Sequence, residues 1–212
     1  MLSPDKSDAK LIGTATHLAI QNLALDSGIT VESIRRAAEK LVTQDKISPE
    51  VAEQIGFDSI MRFFKSDLGK MVIEHKDRIL REWPFTFAFD AAQMGAKSQG
   101  ETVIVQGIID MIVKTPAGLV IIDFKTDDVT KDSAARYAER RSYDKQLRLY
   151  AAAASSILKQ KVKESRLYFL KPGISIDVPA GHSELAFSPA CPEFIEGSEV
   201  EGEVERGSRG IY

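Results

Sequence analysis

The stretch from Gly107 to Thr126, GIIDMIVKTPAGLVIIDFKT, leaves the chain few alternatives. Ile108, Ile109, Met111, Ile112 and Val113 form one apolar run, and Leu119, Val120, Ile121 and Ile122 form the next. Both runs are short, rich in β-branched residues and bounded by turn residues, which is the pattern of strand rather than helix. The connection Thr115-Pro116-Ala117-Gly118 is short enough for an antiparallel hairpin. A turn centred between Pro116 and Ala117 sets Asp110 directly opposite Asp123 on one face, with Cβ atoms about 4.5–5.5 Å apart. Side chains alternate along a strand, so Lys125 shares the face of Asp123 while Phe124 points away.

Two carboxylates so placed repel each other and are costly to desolvate. They persist if a cation sits between them or if each finds a basic partner. A hard divalent cation such as Mg²⁺ takes oxygen ligands, commonly one or two carboxylates with water and a substrate phosphate. The plainer alternative pairs Asp123 with Lys125 and leaves Asp110 at a solvated strand end. For two aspartates in register followed by D-x-K, the metal site is the favoured reading.

A chain of 212 residues is expected to form one domain with an appendage, and it is long enough to bury a core. No apolar run approaches the length of a membrane span, and the N-terminal MLSPDKSDAK lacks a signal-peptide core, so a cytoplasmic protein with no membrane partner is expected. The single Cys191 excludes an intrachain disulfide framework and a four-cysteine iron–sulfur cluster. No G-x-x-x-x-G-K-[ST] phosphate loop occurs, so no ATP site is expected in this chain. The net charge of −3 is uneven: residues 191–212 hold six Glu and two Arg, which leaves residues 1–190 at +1. Lys131–Arg148 carries six basic and three acidic residues, compatible with phosphate contact but equally with a solvated face.

Along the chain, helices are expected over Ala9–Leu25, over Val31–Thr43 with Thr30 as N-cap, over Ser48–Gln54 with Pro49 in the first turn, and over Phe57–Ser66 and Leu68–Lys76. On the first, Gly13 and His17 share a face; a lone histidine there is ordinarily structural. REWPFTFAF (Arg81–Phe89) alternates large aromatics and reads as a strand, with Pro84 favouring an edge position. A loop over Asp90–Gln99, the hairpin, a helical stretch over Ala134–Gln160 with an internal break, and a short strand over Arg166–Leu170 follow. Gln146 and Tyr150, spaced i and i+4, share a helix face. Periodicity fades after Gly173, dividing the chain into a domain over 1–175 and a weakly ordered, Glu/Gly-rich tail over 176–212.

Together GTATHLAIQ (Gly13–Gln21), ISPEVAEQI (Ile47–Ile55), REWPF, VQGIIDM (Val105–Met111), IIDFKTD (Ile121–Asp127), YDKQLRLYAAA (Tyr143–Ala153) and VKESRLYFL (Val162–Leu170) resemble the C-terminal nuclease domain of AddA-type helicase–nucleases. More broadly they resemble RecB-type nucleases of the PD-(D/E)XK superfamily. The resemblance covers about residues 10–170 and implies an α/β (α+β-like) restriction-endonuclease-like core: a mixed central sheet with an active-site hairpin, flanked by helices, and a helical N-terminal part. It implies that His17, Asp110, Asp123 and the Phe124 carbonyl hold Mg²⁺ or Mn²⁺, with His17 within metal-bridging reach of both aspartates. Lys125 becomes the catalytic lysine, and Gln146 and Tyr150 lie beside it.

The activity implied is metal-dependent hydrolysis of DNA in break repair and recombination, by an exonuclease in the first instance. The helicase motor of AddA chains is absent from these residues. Implied partners are DNA and a separately encoded helicase or AddB-like protein. The alternative is a non-catalytic DNA-binding or assembly module, a decayed or partner-dependent nuclease fragment.

Overall fold

A computed structural model of the protein describes residues 6–90 and 101–179. Most of the loop expected over Asp90–Gln99, and the acidic tail from residue 180 onward, lie outside the described residues.

Five strands form one mixed sheet in spatial order β1 (Ile79–Asp90), β2 (Thr102–Thr115), β3 (Gly118–Lys125), β4 (Val162–Phe169) and β5 (Ile174–Asp177). All neighbours run antiparallel except β3 and β4, whose parallel pairing requires a crossover. That crossover is the helical pair α6 (Lys131–Arg140) and α7 (Tyr143–Leu158). The break expected inside this stretch falls at Ser142, whose backbone is left-handed with φ 57°. Pro84 sits in β1, an edge strand, as expected of a residue with no N–H to give to a central ladder.

The remaining helices are α1 (Lys6–Gln21), α2 (Val31–Thr43), α3 (Pro49–Glu53), α4 (Phe57–Lys65) and α5 (Asp67–Glu74). Helix α2 starts where the sequence indicates: the Ser33 N–H donates to Thr30 Oγ1 at 3.1 Å and the Thr30 N–H donates to Ser33 Oγ at 2.9 Å. Helix α1 stops at Gln21, short of the expected Leu25. The Arg81 guanidinium donates to the carbonyls of Ile20, Gln21 and Leu23 at 3.2, 2.8 and 2.7 Å, and takes over acceptors that further turns would use.

Each face of the sheet is covered. Helices α1–α5 pack on one side over Met111, Val113, Val120, Ile122, Phe124 and Tyr168. Helices α6 and α7 pack on the other over Ile109, Ile112, Leu119, Ile121, Leu167 and Phe169. This is the expected mixed sheet with a hairpin, flanked by helices. Strand β5 was not anticipated; its four residues alternate half-buried and exposed, too short a pattern to stand out, and it crosses the 175/176 division.

Candidate active site

The hairpin has the expected two-residue turn, with Thr115 opposite Gly118, and the register continues through Lys114–Leu119, Val113–Val120 and Ile112–Ile121 to Met111–Ile122. The next pair would be Asp110 and Asp123, but the ladder stops one pair short. On the other side of β2, the ladder with β1 skips the pair Glu82–Asp110, although Arg81–Met111 and Trp83–Ile109 flank it. Side-chain alternation fails at the same point. Ile109 and Met111 are two apart, yet Ile109 lies in the α6–α7 core and Met111 in the α1–α5 core. Glu82 has φ 45°, a left-handed conformation uncommon for a residue with a Cβ. Strand β2 is therefore distorted at Asp110, and the Asp110–Asp123 pair expected from the register is not a rung of the ladder, although the two carboxylates stay close enough for the charge of Asp110 to act on Asp123.

Asp110 turns into the opening between β2 and β3. Its Oδ2 accepts the Phe124 N–H at 2.7 Å, and its Oδ1 lies 3.2 Å from His17 Nδ1. His17 comes from α1, which reaches the site because Arg81 holds its C-terminal end and because Gly13 is small: a Cβ there would stand 3.3 Å from Thr126 Oγ1. Glu82 Oε1 lies 3.8 Å from the same imidazole nitrogen. One ligand atom each from His17, Glu82 and Asp110 lie within 4.8 Å of one another, making the one such group among the described residues. The expected reach of His17 to an aspartate is thus met at Asp110, and Glu82, which was not expected, joins the group.

Asp123 stands next to this group and is 1% exposed. Its Oδ2 is 2.6 Å from Lys125 Nζ, but the contact is poorly angled and leaves that oxygen without a well-directed hydrogen bond. Burial first, and then the charge of Asp110, push its carboxyl up to about 6, against the opposing pull of Lys125 and His17. The Lys125 ammonium is drawn down by burial, yet the charge and hydrogen bond of Asp123 outweigh this and hold it above the usual lysine range. Burial likewise pulls His17 down, and the hydrogen bonds and charges of Asp110 and Glu82 reverse the effect, pushing it up to about 10.

Lys125 Nζ donates to Gln146 Oε1 at 3.4 Å, and Gln146 Nε2 donates to the Tyr150 oxygen at 2.6 Å. The order is forced: an ammonium can only donate, so the amide turns its oxygen to Lys125 and its nitrogen to Tyr150. The Tyr150 O–H is left available to donate. Burial raises the phenol above its ordinary value, which keeps that proton in place. Gly107 makes room for the phenol; a Cβ there would stand 3.3 Å from Tyr150 Cε1 and 2.8 Å from Phe85 Cε1.

The Phe124 backbone also fits the expected arrangement. Lys125 O accepts from Leu170 N in the segment that continues β4, so residue 125 directs its backbone groups to that side. Strand alternation then directs those of Phe124 to the Asp110 side, where its N–H is found. The N–H and C=O of one extended residue point to the same edge, so the carbonyl faces that opening too.

These donors suit a divalent cation. One imidazole nitrogen, carboxylate oxygens and a buried carboxylate lacking a directed partner are the ligand chemistry of Mg²⁺ or Mn²⁺, with the imidazole favouring the latter.

Glu82 was missed in the sequence although the signal was there. It is an acidic residue inside an apolar, aromatic-rich strand, the same oddity that drew attention to Asp110 and Asp123.

Residues 2–204 match the PD-(D/E)XK nuclease superfamily. Among curated proteins, the chain is similar to an ATP-dependent helicase/nuclease subunit from Moorella thermoacetica, at 34% identity over 78% of this chain. It is 40% identical over 74% of its length to the protein of the same name from Bacillus cytotoxicus, and 35% identical over 78% to that from Ligilactobacillus salivarius. The matched region spans only 12–13% of the length of these relatives.

Proposed function

Because this chain belongs to the PD-(D/E)XK nuclease superfamily, we propose that it hydrolyses DNA phosphodiester bonds with a divalent cation, Mg²⁺ or Mn²⁺, acting as an exonuclease. The observation that carries this reading is the convergence of His17, Glu82 and Asp110 beside the Asp123–Lys125 pair. The residues that would hold the cation are His17, Asp110, Asp123 and the Phe124 carbonyl, with Glu82 as an added donor. Bound there, it would polarise the scissile phosphate and lower the pKa of a bound water.

The chain's own groups supply the rest. Lys125 has three N–H donors; one reaches Gln146 and one lies against Asp123 at a poor angle, leaving the third for the attacking water or a phosphate oxygen. Gln146 holds the ammonium and, through its amide nitrogen, fixes the Tyr150 oxygen so that the free O–H can donate to the DNA backbone. Asp123 keeps Lys125 charged.

The partners in this reading are DNA and a helicase or an AddB-like protein, in break repair and recombination, in the cytoplasm. No helix among the described residues is long and apolar enough to cross a membrane. The test is incubation of the purified chain with end-labelled linear DNA and with covalently closed circles, in Mg²⁺, Mn²⁺ or EDTA. The expected result is degradation of linear DNA only, and only with a divalent cation. Cleavage in EDTA, or no cleavage with either cation, contradicts the metal-nuclease reading; equal loss of circles contradicts the exonuclease.

A further inference from the structure

We infer that Tyr143, clamped by Asp127, is a positioning residue for Lys125, and this rests on the reading that Lys125 acts at the reacting phosphate. The Lys125 side chain is 16% exposed, so its ammonium is held within the protein. A lysine ammonium is a point charge on four rotatable bonds, and few fixed contacts define where it sits. Two are polar: Asp123 at 2.6 Å, with poor angles, and Gln146 at a long 3.4 Å. Neither alone fixes the third N–H in space. A third contact is the Tyr143 ring, whose centroid lies 4.6 Å from Lys125 Nζ. The negative face of an aromatic ring attracts an ammonium and adds a third restraint on its position.

The ring is itself fixed in a way its place in the chain does not require. Tyr143 is the first residue of α7, directly after the left-handed Ser142. Its hydroxyl donates to Asp127 Oδ2 at 3.1 Å, and the Tyr137 hydroxyl, from α6, donates to Asp127 Oδ1 at 2.7 Å. Asp127 lies two residues past Lys125, in the loop that leaves β3. One carboxylate, with both oxygens engaged, therefore ties α6, the start of α7 and the end of β3 together around the lysine. A clamp serving only to hold the helices could sit anywhere along them; this one orients the ring on which the ammonium rests.

The test compares Tyr143→Leu, Tyr143→Phe and Asp127→Asn by steady-state DNA cleavage, melting temperature and acetylation of Lys125, the last read by mass spectrometry against exposed lysines in the same sample. Tyr143→Leu should lower kcat about tenfold with KM for DNA unchanged, because the reacting geometry loosens while DNA contacts remain. Tyr143→Phe should recover part of that loss, since the ring stays but loses its tie to Asp127. Asp127→Asn should likewise fall between Tyr143→Leu and the unaltered chain, because the ring is present but less firmly oriented. Lys125 should acetylate several-fold faster in Tyr143→Leu than in the unaltered chain, and at a rate between the two in Tyr143→Phe.

Equal kcat and equal labelling in Tyr143→Leu and the unaltered chain overturn the inference. So does a loss that Tyr143→Phe shares in full and that follows melting temperature, which marks a merely structural tyrosine. Should Tyr143→Leu prove unfolded by circular dichroism, Asp127→Asn carries both readouts with the same expected direction. If the unaltered chain cuts no DNA with Mn²⁺, the reading of Lys125 as catalytic fails, and the labelling rates alone decide whether Tyr143 positions it.

Discussion

His17 is the residue whose state would change most on uptake of the proposed cation. Flanked by Asp110 and Glu82 it holds a proton up to about pH 10, whereas an imidazole that ligates a metal must be neutral. Mn²⁺ binding at pH 8 should therefore release about one proton, seen as a calorimetric heat that scales with buffer ionisation enthalpy. A heat independent of buffer argues against His17 as a ligand. The metal-free protein carries the matching stability signature. The folded pKa is raised above 6.5, so the stabilisation is fully present below pH 6.5 and is lost as pH climbs through about 10. His17→Gln should flatten urea-unfolding stability across that window; an unchanged pH dependence would show that the proton is not held there.

Glu82 presents the opposite balance, a candidate ligand on an unfavourable backbone. A left-handed φ costs a residue with a Cβ about 1–2 kcal/mol, and glycine escapes it. Glu82→Gly should leave chemical-denaturation stability within about 0.5 kcal/mol of the unaltered protein or raise it, where glycine inside a strand ordinarily costs roughly 0.5–1 kcal/mol. The same change removes a carboxylate from the site and should weaken Mn²⁺ binding. Tight binding retained in Glu82→Gly would remove Glu82 from the ligand set.

Among the elements, α1 depends on β1 for its position. Arg81 gives three hydrogen bonds to carbonyls at the helix end, and its neighbour Glu82 reaches the histidine on that helix. Arg81→Met keeps the aliphatic stem and strips those bonds. Hydrogen bonds from a charged donor contribute about 1.5–3 kcal/mol, so a loss of about 2 kcal/mol is expected in urea unfolding, with Mn²⁺ affinity falling alongside. Loss of stability with metal affinity intact would mean that His17 is held by other contacts.

What the sequence made legible follows the same division. Local rules found α2, whose Thr30–Ser33 box is written in adjacent residues, and the hairpin, whose turn fixes every pair from Thr115–Gly118 to Met111–Ile122. Alternation of apolar residues could not reveal where β2 twists out of its ladders, because that depends on Glu82 and on a helix about sixty residues earlier in the chain. The expected pairing of Asp110 with Asp123 lies one step beyond the last rung of the ladder. The Gln146–Tyr150 contact was legible in an i, i+4 spacing, whereas their place beside Lys125 was implied by the family resemblance and not by any local rule. β5 escaped notice because four residues carry too little periodicity.

Among the described residues, a sheet with helices on both faces buries two apolar cores within the chain, while Ile104 and Ile108 of β2 stay exposed. Although the matched region is 12–13% of the length of its relatives, the isolated chain should unfold in one cooperative transition, with circular dichroism and tryptophan fluorescence coinciding. Separate transitions would mean that the two cores do not support each other. We propose a division of labour across the hairpin, with carboxylates holding the cation and Lys125 acting on the DNA. Its most direct test is calorimetric titration of Mn²⁺ into Lys125→Ala and Asp110→Ala, with cleavage assayed on the same preparations. Lys125→Ala should bind Mn²⁺ as tightly as the unaltered chain or more so, since a nearby positive charge is gone, and should cut no DNA. Asp110→Ala should lose both binding and cleavage. Loss of the metal in Lys125→Ala, or retention of both properties in Asp110→Ala, would contradict the account.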